Sequence, residues 1–274
     1  MMIIGISLLS FLILLALLYL FVFVRPRAKT PTEPRLLCDY AHRGLHGGKI
    51  PENSLAAFER ACLAGYGIEL DVQLSKDGTV MVFHDYTLSR MTGKDKRLSE
   101  LDAAELKTLC LAGSDQHIPT FSEVLSLVDG RVPLLVELKG ESLDSSLCEK
   151  VAALLNDYKG VYCIESFNPL LIRKIKKYLP NAYVGQLYTN VCREKQRKSP
   201  VHILLTCMAF NFLARPDFIA YDKQDRNSFP VKLSTRFYRA EKFVWTVKSD
   251  SELETAHSLH EHPIFENTER NLTS

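Results

Sequence analysis

Residues 66–85 read YGIELDVQLSKDGTVMVFHD. The run is β-rich at its start, and because side chains alternate along a strand, Glu69 and Asp71 project to the same side. Lys76-Asp77-Gly78 is a turn signal. Only twelve residues separate Asp71 from His84, too few for a strand end, a crossover helix and a new parallel strand. Residues 79–84 are therefore predicted to be the return arm of a hairpin, an excursion that brings His84 back to the end of the strand bearing Glu69 and Asp71.

Further along, PLLVELKG (133–140) repeats the pattern, with Glu137 and Lys139 two apart at the end of an apolar strand. β-rich runs appear at 36–41, 66–73, 79–84, 132–138, 161–166, 182–187, 217–221, 243–247 and 263–266, and helical patterns lie between most of them. With 79–84 assigned to the hairpin, eight strands remain. Their alternation with helices predicts an α/β fold, a (β/α)8 TIM barrel, with an open doubly wound sheet as the alternative. LAAFERACLAG (55–65) is a helix capped by Asn53 or Ser54 and stopped at Gly65. Thr120-Phe-Ser-Glu123 is a capping box, Asn168-Pro169 resembles a capped helix start, and Ser249 or Asp250 caps the helix through Leu259.

A single Glu-x-Asp at a strand end ordinarily faces solvent. Two such pairs after buried strands favour an inward placement, which is costly in an apolar barrel unless something cationic is bound. Glu69, Asp71 and Glu137 then offer hard oxygen ligands with no cysteine among them, a set suited to Ca²⁺ or Mg²⁺ rather than Zn²⁺. Lys139 stands ready for a phosphate oxygen. His42 ends the first strand and His84 the hairpin arm; each alone fits a hydrogen-bonded structural histidine. Together they fit phosphodiester cleavage, which needs one base for the nucleophile and one acid for the leaving alkoxide. Arg43 adds a fork suited to phosphate, its alternative being an exposed surface arginine.

Met1 to Val24 holds no charged residue. As a helix, Ile3 to Val24 would be about 33 Å long, enough to cross a bilayer core, whereas a cleaved signal peptide would show a basic n-region and a small-residue cleavage site. The expected organisation is a transmembrane helix at 1–24, an extended proline-containing linker at 25–35 and a catalytic barrel at 36–274. Arg25, Arg27, Lys29 and Arg35 follow the apolar segment, which places the barrel of this single-pass cell-membrane protein on the cytoplasmic side. Seven irregularly spaced cysteines without a CxxC agree with reduced thiols. A composition 46% hydrophobic and 24% charged excludes disordered and collagenous classes. The net charge of +2 and a basic run, Arg193 to Lys198, without interleaved aromatics argue against a nucleic-acid partner.

AHRG (41–44), PENS (51–54), ELDVQLSKDG (69–78), VFHD (82–85), IPTFSEVL (118–125) and ELKG (137–140) together resemble the glycerophosphodiester phosphodiesterase family. The likeness is strong from about 40 to 140 and continues through SFNP (166–169) and VWTVKS (244–249). It implies a distorted barrel that hydrolyses glycerophosphodiesters to glycerol 3-phosphate and an alcohol. It also implies catalytic His42 and His84, metal carboxylates Glu69, Asp71 and Glu137, and phosphate contacts from Arg43 and Lys139. Asn53 would shape the metal and phosphate site, and Trp245 would form an aromatic wall beside the glycerol, its alternative being a core residue near the barrel mouth. A neighbouring glycerol hydroxyl would attack phosphorus first, giving a cyclic phosphate that water opens, with direct attack by water as the alternative.

The chain departs from the family pattern in places. The loop LHGGKI (45–50) carries an extra His46, read here as decorating a mobile loop, with entry into the pocket as the alternative, and HPIFENTE (262–269) contributes nothing transferable. A close rival uses the same residues as a lysophospholipase D acting on membrane lysophospholipids. A catalytically inactive barrel serving as a binding module predicts a broken constellation, and His42, Glu69, Asp71, His84 and Glu137 are all present.

Overall fold

Eight parallel strands close on themselves. They are β1 (Tyr40–Ala41), β2 (Gly67–Leu74), β4 (Leu134–Leu138), β5 (Tyr162–Ser166), β6 (Tyr183–Tyr188), β7 (Phe218–Asp222), β8 (Glu241–Val247) and β9 (His262–Phe265). The remaining strand, β3 (Val80–Val82), pairs antiparallel with the end of β2, Val72 opposite Val82. The computed structural model describes residues 2–140, 146–196 and 198–266; the tripeptide Asn271-Leu272-Thr273, which reads as a glycosylation sequon, lies outside them. Closure falls to the two residues of β1, which join Gly67 and Ile68 on one side to Ile264 and Phe265 on the other. This short seam lies beside the β2–β3 hairpin.

Alternation along the strands sorts residues into two cores. Ile68, Leu70 and Val72 of β2, with Leu134, Val136 and Leu138 of β4, face the outer helices. Leu135, Cys163, Tyr183, Phe218 and Phe243 fill the barrel interior. The opposite-facing residues of β2 and β4 are thereby sent inward. A satellite cluster of Met81, Phe83, Leu88, Leu98 and Leu106, among others, lies under the excursion that follows β3.

Helix boundaries follow local chemistry. The helix Leu55–Ala64 begins at Ser54, whose side chain accepts from Ala57 N, and ends at Gly65, whose φ of 75° is the left-handed conformation glycine adopts without penalty. Thr120 and Glu123 form the capping box of Phe121–Val128. Asn168 caps Pro169–Tyr178, and Ser249 caps Asp250–Ser258.

The N-terminal segment corrects one expectation. Its α-helix, Met2–Leu18, has 17 residues, about 26 Å at 1.5 Å per residue, against a hydrocarbon core of about 30 Å. Tyr19–Phe23 winds instead as a π-helical turn. The cause is tertiary, because this foot docks on the barrel. The Tyr19 hydroxyl donates to Cys207 O at 3.0 Å, Asn211 Nδ2 donates to Val24 O at 2.8 Å, and the Tyr238 hydroxyl donates to Leu20 O. Among the described residues no helix is long and apolar enough to cross a membrane. The segment expected to be an extended linker is likewise held in place, with Arg27 paired to Asp217 and its backbone N–H donating to Pro216 O at 2.8 Å.

Candidate active site

Strand register places the acids. Asp71 pairs with Glu137 and Glu137 with Glu165 across β2, β4 and β5, so these three lie level, with Glu69 one inward step below Asp71. Relative exposure is 3% for Glu69, 1% for Asp71, 8% for Glu137 and 1% for Glu165. The solvent-facing alternative is thus excluded. Glu69, Asp71 and Glu137 each present a carboxylate oxygen within 4.8 Å of the others.

Two cations answer four acids. Lys139 Nζ lies 2.9 Å from Glu137 Oε1 and 3.1 Å from Asp71 Oδ1. Arg43 donates its backbone N–H to Glu69 Oε2 at 2.9 Å, directs Nη1 to Glu52 Oε1 at 2.8 Å, and holds Nε 3.6 Å from Asp71. It is not a surface arginine. Glu52 in turn receives Arg90 Nη2 at 2.6 Å. Asn53 Nδ2 donates to Asp71 Oδ2 at 2.8 Å, so the helix cap falls to Ser54 and Asn53 is turned to the site. Arg43 and Asn53 have φ of 55° and 53°, a left-handed backbone that non-glycine residues adopt at a cost and that clusters at functional sites.

Charge sorts the carboxyls. Burial pushes Glu69 far up, reinforced by the neighbouring Asp71 and Glu137 charges. Burial raises Glu137 to about 7, with Lys139 opposing. Burial also acts on Asp71, but Lys139, His84, Arg43 and the Asn53 amide outweigh it and hold that carboxyl below its usual range. Asp71 is therefore the acid that stays ionised most easily, while the others await positive charge. Glu165 Oε2 is buried yet accepts no hydrogen bond, and Asp71 Oδ1 has the Lys139 ammonium alone beside it. Under-satisfied oxygens in an all-carboxylate cluster fit a hard divalent cation.

Both histidines are held the same way. His42 Nδ1 lies 2.8 Å from Glu266 Oε2, and His84 Nδ1 lies 2.6 Å from Asp85 Oδ1. A carboxylate only accepts, so each Nδ1 carries the proton and each neutral ring presents a bare Nε2. His42 Nε2 is 4.0 Å from Glu69 Oε2. Burial lowers the pKa of both rings below the ordinary histidine value. Asp85 is fixed by Arg90 Nε at 2.5 Å, and the loop carrying His84 by Gln73, whose Nε2 donates to Phe83 O at 2.8 Å and Asp85 O at 2.9 Å.

His42, Arg43, Glu69, His84, Glu137 and Lys139 line one small cavity, closed on another side by Trp245. The Trp245 ring meets Phe167 edge-on at 5.7 Å and donates its Nε1–H to Ala220 O at 3.2 Å. His46 is not a loop ornament, since its Nε2 lies 3.7 Å from Glu266. Sequence reasoning missed Glu266, Glu165, Asp85 and Glu52. Of these, Glu52 and Asp85 lay within the PENS and VFHD stretches and Glu165 in CIES at a strand end, whereas nothing local singled out Glu266.

Fold and site together define a (β/α)8 barrel with an acidic, metal-competent mouth at the C-terminal ends of its strands. The chain matches the glycerophosphoryl diester phosphodiesterase family over residues 42–268 and belongs to it. A glycerophosphodiester phosphodiesterase of Caldanaerobacter subterraneus is 38% identical over 160 residues, 54% of this chain and 65% of that protein. The chain thus spans somewhat under two thirds of that relative's length. A phosphodiesterase of Oleispira antarctica, solved in complex with the product sn-glycerol-3-phosphate, shares the fold with a TM-score of 0.70 at 23% identity, over 86% of this chain and 97% of that one. A glycerophosphodiester phosphodiesterase of Thermotoga maritima gives 0.63 at 26%, over 85% and 95%.

Proposed function

We propose that this protein hydrolyses glycerophosphodiesters to glycerol 3-phosphate and an alcohol, using His42 and His84 as the acid–base pair and a divalent cation, Ca²⁺ or Mg²⁺, held by Glu69, Asp71 and Glu137. The observation that carries the reading is the paired presentation of two imidazoles, each oriented through Nδ1 by a carboxylate, in the cavity that holds the acid cluster. When bound, the cation supplies polarisation of the phosphoryl oxygens and neutralises charge that builds on them.

The chain's own residues do the rest. A neutral imidazole takes the proton of the attacking hydroxyl at Nε2, and the other returns a proton to the leaving alkoxide. Burial keeps both rings neutral at rest, and the negative phosphodiester entering beside them raises the proton affinity of the one that acts as acid. Arg43 and Lys139 anchor the phosphate, and Trp245 with Phe167 bounds the glycerol. A cytoplasmic location is part of this reading, favoured by seven irregularly spaced cysteines without a CxxC.

The test is release of glycerol 3-phosphate from glycerophosphocholine by purified full-length protein. Activity is expected to vanish with a chelator, to return with Ca²⁺ or Mg²⁺, and to fall about 10²- to 10⁴-fold in His42→Ala. Hydrolysis indifferent to both interventions sinks the reading.

A further inference from the structure

Of the buried acids at the mouth, Glu165 has no task yet. Glu69, Asp71 and Glu137 gather within 4.8 Å of one another, and Glu165 is not of their number. Alternation along β5 nonetheless aims it inward. Cys163 fills the barrel interior, Ile164 faces the outer helices, and Glu165 returns to the inner side. There it is 1% exposed, and its Oε2 accepts no hydrogen bond. Its neighbours cannot answer it. On β6 its register partner is Gly185, which has no side chain, and on β4 it is another acid, Glu137. Lys139 is engaged by Glu137 at 2.9 Å and Asp71 at 3.1 Å. The adjoining polar groups are by contrast satisfied: the Ser166 hydroxyl donates to Leu138 O at 2.7 Å, and Gln186 Nε2 donates to Phe167 O at 3.0 Å.

Glu165 lines the cavity that holds the two histidines, a space of about 100 Å³. Apart from Glu165 and the groups assigned to acid–base, phosphate or cation duty, the lining is Phe167, Leu187, Trp245, Thr246 and Ile264. Whatever fills this space beside the phosphate must therefore be small, must lay C–H surface against aromatic and aliphatic walls, and must bring a hydrogen-bonding group to Glu165. A buried polar group without a partner is costly, and one kept in a cavity marks where a ligand supplies the partner. Burial and the charges of Glu69, Glu137 and Asp71 push the Glu165 carboxyl up. A hydroxyl both donates and accepts, so it pairs with either form of that carboxyl.

We propose that Glu165 is a specificity residue for the glyceryl group, its carboxyl hydrogen-bonding the terminal hydroxyl, the one farthest from phosphorus. The proposal rests on the phosphodiesterase reading above and deepens it. Trp245 and Phe167 bound the carbon skeleton, the hydroxyl nearer phosphorus is left to the chemistry, and Glu165 recognises the remaining one. A substrate without that hydroxyl leaves the carboxyl buried and unmet.

The experiment uses full-length protein and compares glycerophosphocholine with its hydroxypropyl analogue, which keeps the hydroxyl neighbouring the phosphate and lacks only the terminal one. Steady-state kinetics and calorimetric titration with Ca²⁺ or Mg²⁺ are read for the wild type, Glu165→Leu and Glu165→Gln. In the wild type kcat/KM is expected to be at least about 100-fold lower on the analogue, because a site built to bond a hydroxyl rejects the ligand that lacks it. Glu165→Leu is expected to lower kcat/KM on glycerophosphocholine by a similar factor and to leave the analogue's unchanged, so that the preference disappears. Glu165→Gln, whose amide still donates and accepts, should keep part of the preference. Cation affinity should be the same in all three proteins. A wild type that turns over both compounds alike overturns the assignment and leaves the phosphodiesterase reading standing. So does a folded Glu165→Leu protein that loses both activities in equal measure. Weakened cation binding in Glu165→Leu also overturns it, by making Glu165 a ligand of the ion. A wild type that hydrolyses neither compound brings down the phosphodiesterase reading and this inference with it.

Discussion

Two buried charge clusters stand at different places in this barrel and are built on opposite terms. Asp217, fully buried, receives Arg27 Nη2 at 2.6 Å and Val184 N at 3.0 Å, with Lys176 Nζ 3.5 Å away. One acid there is met by two cations and a backbone donor. At the mouth, Glu69, Asp71, Glu137 and Glu165 share Lys139 and Arg43, and Glu165 Oε2 accepts nothing. The satisfied cluster ties the N-terminal segment to the barrel. The unsatisfied one keeps negative charge in reserve for a ligand, a cost in stability retained where chemistry needs it.

The largest effects test that contrast directly. Glu69→Gln keeps an acceptor for Arg43 N–H but removes a charge from the crowded cluster; hydrolysis of glycerophosphocholine is expected to fall about 10²- to 10³-fold, while the thermal midpoint holds or rises. Asp217→Ala should do the reverse. It strands Lys176 and Val184 N, costing about 3 kcal/mol in denaturant unfolding, with turnover per folded molecule preserved. A Glu69→Gln protein that is inactive because it is unfolded would erase the distinction.

Titration sharpens it. The folded-state pKa of Glu137 is raised to about 7 from 4.5, so between those values the folded protein binds more protons than the unfolded chain. With chelator present, this group's contribution to stability is complete below pH 4.5 and is lost as pH rises through 7. A divalent cation removes the need for that proton. Adding Ca²⁺ or Mg²⁺ should therefore raise the midpoint more at pH 8 than at pH 5, as differential scanning calorimetry can read; an equal rise at both would place the cation elsewhere.

How much of this was legible depended on distance along the chain. Glu69, Asp71 and Glu137 were readable because alternation is a local rule, and the β2–β3 hairpin because a twelve-residue gap admits no crossover. Glu266 was not, because it meets His42 from 224 residues away and no spacing encodes that pairing. Hydropathy saw one apolar run from Ile3 to Val24, but Tyr19, Phe23 and Val24 are claimed by Cys207, Phe212 and Asn211, surfaces that exist only once β6 and β7 have folded. Glu266→Gln probes the hidden partner: it keeps an acceptor for His42 Nδ1–H but removes the charge that favours the imidazolium, so kcat/KM should fall about tenfold and its acidic limb should move to lower pH. An unmoved pH profile would make Glu266 merely a packing residue.

The same opposition appears between adjacent residues. Asn53 and Ser54 both fit a helix cap by type, yet the fold gives Ser54 to Ala57 N at 3.2 Å and Asn53 to Asp71 at 2.8 Å. Ser54→Ala should cost about 1 kcal/mol of stability, the ordinary value of a cap, and leave KM and kcat unchanged. Asn53→Ala relinquishes a hydrogen bond to the carboxylate that stays ionised, so its effect should appear as weaker divalent-cation affinity measured by calorimetric titration. If the two variants lose stability alike and bind the cation alike, Asn53 belongs to the helix rather than to the site, and the left-handed backbone it adopts serves the turn alone.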